Sequence, residues 1–516
     1  MGSGTNIRTK NAMRNSTVAL VLQFIAMLLG FFTRKIFLDC LGTELLGLGT
    51  TVGSLLGFLN LAELGIGGAI AFTLYKPIYE HDENTIREIL ALQGWIYRIV
   101  AGIIIIASAI LLPFFPKIFA KADVPEWYPY ITFFVMLYGN LLGYFLNYKM
   151  NVVDASQQNY KVQIRTRLIG LIRQATQAVA VYFMTNGYLW WLGLDAASAT
   201  VSTILLMTLV RREHPYLNEK VKNPWLLRKK YPGIFKKVGQ LFCHKIGSFA
   251  LGQVSPIIIY AYSSLTMVGL YGNYCILTNN LGSLMGAVFD GPIASIGNMV
   301  AEGNKKLILK VFRELYSSRF VAASICCICL YILAEPFVSI WLGPEYILNR
   351  NTLIIMILLF LLGNTRNTVE HYLFAHGLFR DIWAPLVEAT INVTCSIILG
   401  KHYGLSGVLC GSLISLSLVI LVWKPFFLFR YGLKEPLSFY LKIYFKHVLL
   451  LAVSAAVMIS VASIIPMDPA KSFLTFLPYA AVVFILTTAV MGGLTYLTEE
   501  GFRGFLSRTI SAIKNR

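Results

Sequence analysis

The sequence predicts an all-α polytopic membrane protein of about 14 transmembrane helices, and three observations predict it. Hydrophobic residues make up 56% of the 516 and charged ones 13%, with a mean hydropathy of +0.66; a soluble domain carries about 25% charge. Apolar runs of about 20 residues, enough to cross a hydrocarbon core of roughly 30 Å, recur along the whole length and leave no soluble domain between them. Basic residues choose one side. With the N-terminus in the cytoplasm, 36 of the 44 Lys and Arg residues lie inside, 7 outside and Arg98 within a helix.

The first six runs span about 16–38, 46–74, 94–115, 128–150, 168–186 and 189–210. Eight more follow at about 243–262, 266–298, 314–334, 351–375, 384–400, 404–423, 444–465 and 474–497. The run at 266–298 is overlong and interrupted by Asn279, Asn280, Gly291 and Pro292, and that at 384–400 is short and carries Glu388. The first run lacks a cleavage-site pattern and outruns a signal peptide, so it reads as a retained helix. Only an even count of 14 keeps the basic segments 211–245, 301–319 and 424–446 on one face, and it places both termini in the cytoplasm.

Sliding the chain by 220 residues lays helices 1–6 over helices 7–12, with Asn60-Leu61 on Asn280-Leu281, Asn84 on Asn304 and Pro116 on Pro336. Six helices return a chain to its starting side, so two such lobes are parallel, related by an axis along the membrane normal, and can rock around a central cavity. The expected organisation is an N-terminal six-helix lobe at 1–215, a basic amphipathic linker at 216–242, a second six-helix lobe at 243–430, and helices 13–14 with an amphipathic tail at 431–516. In the linker, Leu227, Tyr231, Ile234, Phe235, Val238 and Leu241 keep a helical spacing opposite most of the lysines, the pattern of an interfacial helix.

The net charge of +19 follows from the inside loops, so anionic membrane lipids are expected partners and nucleic acid is not. Of eight cysteines only Cys40 falls in an external loop, and Cys326, Cys327 and Cys329 point in three directions around one helix, which suits neither a disulfide framework nor a metal site. No cofactor motif is present, and without a Walker A sequence any driving force must be an ion gradient or the membrane potential. His244, His371 and His376 fall at inner helix ends, where a solvated role is expected.

Charges inside membrane helices cost about 3 kcal/mol each and are usually kept for function. They are Arg34, Glu63, Arg98, Asp195 and Asp290, with Arg173 and Glu388 nearer helix ends. Glu63 lies about nine residues, or roughly 14 Å, into helix 2; Gly65, Gly67 and Gly68 let that helix bend or another backbone approach, so Glu63 is expected to line a cavity or pair with Arg98. Asp290, before Gly291-Pro292 in the equivalent helix 8, could titrate, bind a cation or cap a half-helix. Glu63, Gly65, Gly67 and Asp290 are therefore the coupling or gating candidates. Arg34 and Lys35 either snorkel outward beside Asp39 and Glu44 or face the interior, where a guanidinium fork suits phosphate. Arg34, Lys35, Arg98, Arg173 and Lys245 form the candidate substrate-binding set.

The stretch TRKIFLDCLGTELLGLGTTVGSLLGFLNLAELGIGGAI, residues 33–70, resembles the start of bacterial polysaccharide-biosynthesis flippases, which export O-antigen and capsule precursors, in the multidrug/oligosaccharidyl-lipid/polysaccharide (MOP) exporter superfamily. The likeness rests on Arg34, Leu41-Gly42, the glycines from Gly47 to Gly57, and Glu63-Leu64-Gly65-Ile66-Gly67, with Glu where Asp is common. The resemblance implies a protein of the bacterial inner membrane that moves an undecaprenyl-diphosphate-linked oligosaccharide to the outer leaflet by alternating access, with H+ or Na+ as possible coupling ions. A cation-coupled drug antiporter of the same superfamily is the alternative. A membrane enzyme would need substantial external loops, and these are at most about 16 residues long.

Overall fold

The computed structural model describes residues 2–63, 65–156, 159–219, 221–290, 293–378, 381 and 383–514. Among the described residues each of the 14 apolar runs is mainly helical, those at 46–74 and 266–298 being broken near Gly65 and Asp290. Among the described residues seven helical stretches are by themselves long and apolar enough to cross a membrane, and Tyr128–Phe145 with the residues after it makes an eighth across a 49° bend. Two expected turns shrink to a single non-helical glycine between abutting helices. The stretch Gly2–Leu59, α1, holds the first run and about half of the second, and at Gly42, φ 80° and ψ 171°, the backbone leaves the helical region between them. The runs at 384–400 and 404–423 likewise share the stretch Trp383–Leu433, kinked at Gly404 with φ 55°.

The chain divides into two compact units, Met1–Tyr260 with Ser264–Gly269, and Ala261–Ser263 with Leu270–Arg516. In the first unit α1 is followed by α2 (Ile66–Tyr79), α3 (Glu83–Leu111), α4 (Tyr128–Phe145), α5 (Asn159–Phe183), α6 (Gly187–Glu213), α7 (Pro232–Phe249) and α8 (Ser255–Tyr262). Helix α5 packs along α1 and α6, and α2 packs on α3 and α7. Asp82 caps α3 by accepting from the Thr85 amide, 3.0 Å away.

The linker departs from the expected interfacial helix. Short turns run to Lys230; Tyr231, at φ −121° and ψ 56°, leaves the helical region because Pro232 follows it, and Pro232 starts α7. Part of the amphipathic face then packs on protein: Ile234 is buried, and Val238 and Leu241 lie against Gly65, while Phe235 stays exposed. Lys230 and Tyr231 both reach Glu88 Oε2 at 2.6 Å, which fastens the linker to α3. By compactness residues 243–260 group with the first unit.

In the second unit, α9 (Leu265–Phe289, from Leu270) is followed by α10 (Ile293–Glu302), α11 (Lys305–Trp341), α12 (Arg350–Ala375), α13 (Trp383–Leu416), α14 (Leu437–Ile464), α15 (Phe473–Thr498) and α16 (Glu500–Lys514). The 37-residue α11 is its spine and packs on α12, α14, α15 and α16. Aromatic rings of Phe312, Tyr316 and Phe320 on α11 meet Tyr372, Phe429 and Tyr440 to form its core. The tail helix α16 is held by Arg508 on the buried Glu314 at 2.7 Å.

Candidate functional site

Two carboxylates interrupt membrane helices, one in each unit. In the first, the chain leaves α1 through a tight 3-10 turn, Asn60–Glu63, and re-enters helix at Ile66 after Gly65, whose φ is 92°. A Cβ on Gly65 would sit 2.9 Å from the Phe242 amide and the Val238 carbonyl, so glycine provides both the left-handed turn and the close approach of α7. At Gly67 a Cβ would meet only ordinary contacts.

Glu63 is half-buried between two buried phenols. Tyr97 Oη donates to Oε1 at 3.2 Å, and Tyr144 Oη lies 3.1 Å from Oε2 and 3.0 Å from Asn60 Oδ1, one proton shared between two acceptors. The expected pairing with Arg98 is not formed. Arg98 follows Tyr97 by one residue, hence about 100° around α3, and is exposed. It lines a separate cavity of about 480 Å³ with Tyr148 and Lys149.

In the second unit α9 ends at Phe289, and Asp290 Oδ1 accepts from Arg319 of α11 at 2.6 Å. Arg319 is only 2% exposed and its guanidinium lies 5.6 Å from the Phe289 ring centre. His371 of α12 brings Nε2 to 3.7 Å from the same carboxylate oxygen. Asp290 opens onto a cavity of about 810 Å³ whose wall includes Tyr271, Thr278, Asn279, Ser283 and Asn364. Gly291 and Pro292 lie outside the described residues.

Neither partner of Asp290 was singled out from sequence. Arg319 was grouped with the solvated basic segment 301–319 and His371 with solvated helix ends; yet α11 already begins at Lys305, which puts Arg319 14 residues, about 21 Å, along the helix. The signal was its setting, SSRFVAAS, where small and apolar neighbours leave a guanidinium no route to water.

The other expected substrate cations are spread over local partners. Lys35 pairs with Asp39 at 3.2 Å, and Glu44 accepts from the Asp123 amide at 2.9 Å. Arg173 of α5 pairs with Asp195 of α6. Arg34 is half-buried and has a partner of its own. The side chain of Lys245 lies outside the described residues. Glu388 faces Arg366 at 3.9 Å, and a buried pair absent from the sequence reading joins Lys424 to Asp381 at 2.8 Å. Among the described residues no group of three or more His, Cys, Asp or Glu could hold a metal.

No protein-family model matches the chain. A Yersinia pseudotuberculosis protein named for O-antigen export is 22% identical over 426 residues, covering 78% of this chain and 92% of that protein. Among solved structures the chain is similar to the lipid II flippase MurJ in its inward closed conformation, with TM-score 0.67 and 13% identity, over 92% of this chain and 98% of that one. It is also similar to a multidrug resistance MATE family transporter of the MOP superfamily, inward-facing at TM-score 0.59 and outward-facing at 0.55, with 12% and 14% identity. Those two matches cover 81% and 82% of this chain and 99% and 96% of theirs. The chain thus has the multi-span helical fold of these transporters, the architecture implied by residues 33–70.

Proposed function

We propose that this protein is a flippase, not an enzyme. It carries an undecaprenyl-diphosphate-linked oligosaccharide from the cytoplasmic to the outer leaflet of the bacterial inner membrane by alternating access, driven by an ion gradient or the membrane potential. The observation that carries this reading is the sequence relationship to a protein named for O-antigen export, which runs over nearly all of that protein. The chemistry agrees with it. A diphosphate and a sugar headgroup cannot cross hydrocarbon unaided, whereas helices that keep buried cations and a polar-walled cavity can carry them while the polyprenyl tail stays in lipid. By the basic-loop rule both termini face the cytoplasm.

In this mechanism Arg34 is the diphosphate ligand of helix 1, and Lys35, Arg98, Arg173 and Lys245 are its candidate auxiliaries. Lys35 and Arg173 serve only by exchanging a carboxylate for a phosphate. Glu63 is the group whose charge changes during the cycle with H+ or Na+, and Gly65 is the pivot beside it. Asp290, with Arg319 and His371, sets the charge of the second-unit cavity.

Arg34→Ala tests this reading. Loss of one charged partner of a dehydrated phosphate costs about 2–5 kcal/mol, so the variant inserts normally but stops translocation. Arg34→Lys restores only part of it, because an ammonium keeps the charge and loses the fork. The readout is lipid-linked oligosaccharide accumulating on the cytoplasmic leaflet at matched membrane levels. Unchanged flipping by Arg34→Ala removes Arg34 from the site. A deletion strain with normal flipping but raised drug sensitivity replaces the flippase reading with the cation-coupled antiporter.

A further inference from the structure

The cavity lined by Arg98, a candidate auxiliary in the transport reading, carries further cations that this reading does not use. It lies in the first unit between α3, the bend after α4 and the segment after α6. Three cations line it, Arg87, Arg98 and Lys149, against one carboxylate, Glu219, which is already paired with Arg87. Lys149 Nζ donates one proton to the Leu217 carbonyl at 3.2 Å, leaving two to give. Tyr148 adds a hydroxyl, and its ring lies so close to α3 that a Cβ on Gly94 would come within 2.8 Å of it. Glycine at position 94 therefore opens the slot in which Tyr148 packs on α3, one helical turn before Arg98.

We propose that this cavity is a binding site for a phosphate group, and specifically for the headgroup of an anionic lipid. A guanidinium fork, an ammonium and a phenol around one small volume match the several acceptor oxygens of a phosphate, and no carboxylate remains to neutralise them. Beside Arg98, α3 continues into exposed Ile99, Ile103, Ile106 and Ile110, a helical stripe along which an acyl chain can run from a headgroup held at Arg98. The basic segment after α6 borders the cavity, so by the basic-loop rule this end faces the anionic cytoplasmic leaflet. Of its lining residues only Arg98 is shared with the transport reading, and lipid retention and Tm are read without transport, so failure of one reading is distinguishable from failure of the other.

The experiment uses the full-length protein in two settings: nanodiscs of phosphatidylcholine with or without phosphatidylglycerol, and detergent micelles with or without inorganic pyrophosphate. Bound lipid is read by native mass spectrometry and stability by thermal unfolding. Phosphatidylglycerol is expected to be retained and to raise the Tm of the wild type, and Arg98→Gln with Lys149→Gln to lower its apparent affinity about tenfold or more, one lost charged contact being worth about that factor. Arg98→Gln alone, at an exposed position, gives the same direction should the double variant fold poorly. Lys306→Gln with Lys310→Gln removes the same charge from exposed surface of the second unit and leaves retention unchanged. Site-dependent protection by pyrophosphate without preference for phosphatidylglycerol keeps the phosphate site and overturns the lipid source. Protection by neither probe, or equal loss in the Lys306/Lys310 control, overturns the site.

Discussion

Glu63 and Asp290 hold comparable places in the two units: each stands where a membrane helix breaks and a short helix follows, 66–79 in one and 293–302 in the other. Their surroundings are opposite. Among the described residues Glu63 is held by two neutral phenols, while Asp290 faces the buried Arg319 with His371 behind it. A carboxylate held by hydroxyls keeps its negative charge uncompensated at short range, so a proton or cation arriving there meets no competitor. One that is paired with a guanidinium is already neutralised, and an arriving cation must displace the arginine. Similar places in the two units thus carry a carboxylate held by hydroxyls in one and a carboxylate paired with a guanidinium in the other. Coupling is accordingly expected to depend on Glu63, and the integrity of the second unit on Asp290 and Arg319.

The largest expected effect breaks the fixed pair. Arg319→Ala removes a buried guanidinium and leaves Asp290 uncompensated in a half-dehydrated cavity, at a cost of about 3 kcal/mol or more, read as lost thermal stability of the purified protein. Arg319→Met with Asp290→Asn recovers most of it, because no lone charge remains. A double variant no more stable than Arg319→Ala would show that the pair does not act as a unit.

Glu63→Gln is expected to behave differently. It keeps an acceptor oxygen for one phenol, so stability changes by about 1 kcal/mol or less. Gradient-driven transport slows about tenfold or more, a loss of roughly 1.4 kcal/mol in the driven step, while downhill exchange is spared. Equal loss of both activities assigns Glu63 to structure or substrate contact and removes the contrast with Asp290.

Glycine substitutions sharpen the comparison at the helix breaks themselves. Gly65→Ala places a Cβ at positive φ against the backbone of α7 and is expected to cost about 2 kcal/mol. Gly286→Ala meets only the Asp290 carboxylate, 3.0 Å away at the end of a rotatable side chain, and should cost less than about 1 kcal/mol. A denaturation series that reverses this order would show that the turn at Gly65 is not strained.

A further effect concerns the tail of the second unit. Glu499, 1% exposed, accepts from Arg313 at 2.5 Å and pairs with Lys446 at 3.1 Å. Burial works to raise its carboxyl, and the bonds and charges of Arg313 and Lys446 outweigh it, leaving it below the ordinary range. Because the folded value lies below the unfolded one, this stabilisation is complete above about pH 4.3 and fades as the pH falls through the folded value. Glu499→Gln should remove about 1.5 kcal/mol near neutrality and flatten that acid dependence, measured by thermal unfolding across pH. An unchanged acid limb would place the loss of stability elsewhere.

Much of the architecture was legible because lipid imposes it: a backbone in hydrocarbon must be helical, so every apolar run had to be a helix, and basic loops fix the count. The interruption at Glu63 was legible as well, since a carboxylate beside three glycines has few other meanings. The partners were not. Tyr97 rather than Arg98 reaches Glu63 because one residue turns a helix by about 100°, a rotation set by packing against α2. Arg319 was hidden because the edge of a basic segment looks alike whether the helix begins before or after it.

The sequence by itself determined the solvent, the helices, their number and the presence of costly charges within them, because transfer from water to hydrocarbon depends on each segment's own composition. The tertiary structure decided what each charge means. It turned the amphipathic linker from a lipid-facing helix into the packed start of α7, paired Arg173 with Asp195, set Arg98 beside Lys149, and gave phenols to Glu63 and a guanidinium to Asp290. Such pairings depend on distances between helices far apart in the chain, and a few ångströms decide whether a half-buried carboxylate meets a guanidinium or a hydroxyl.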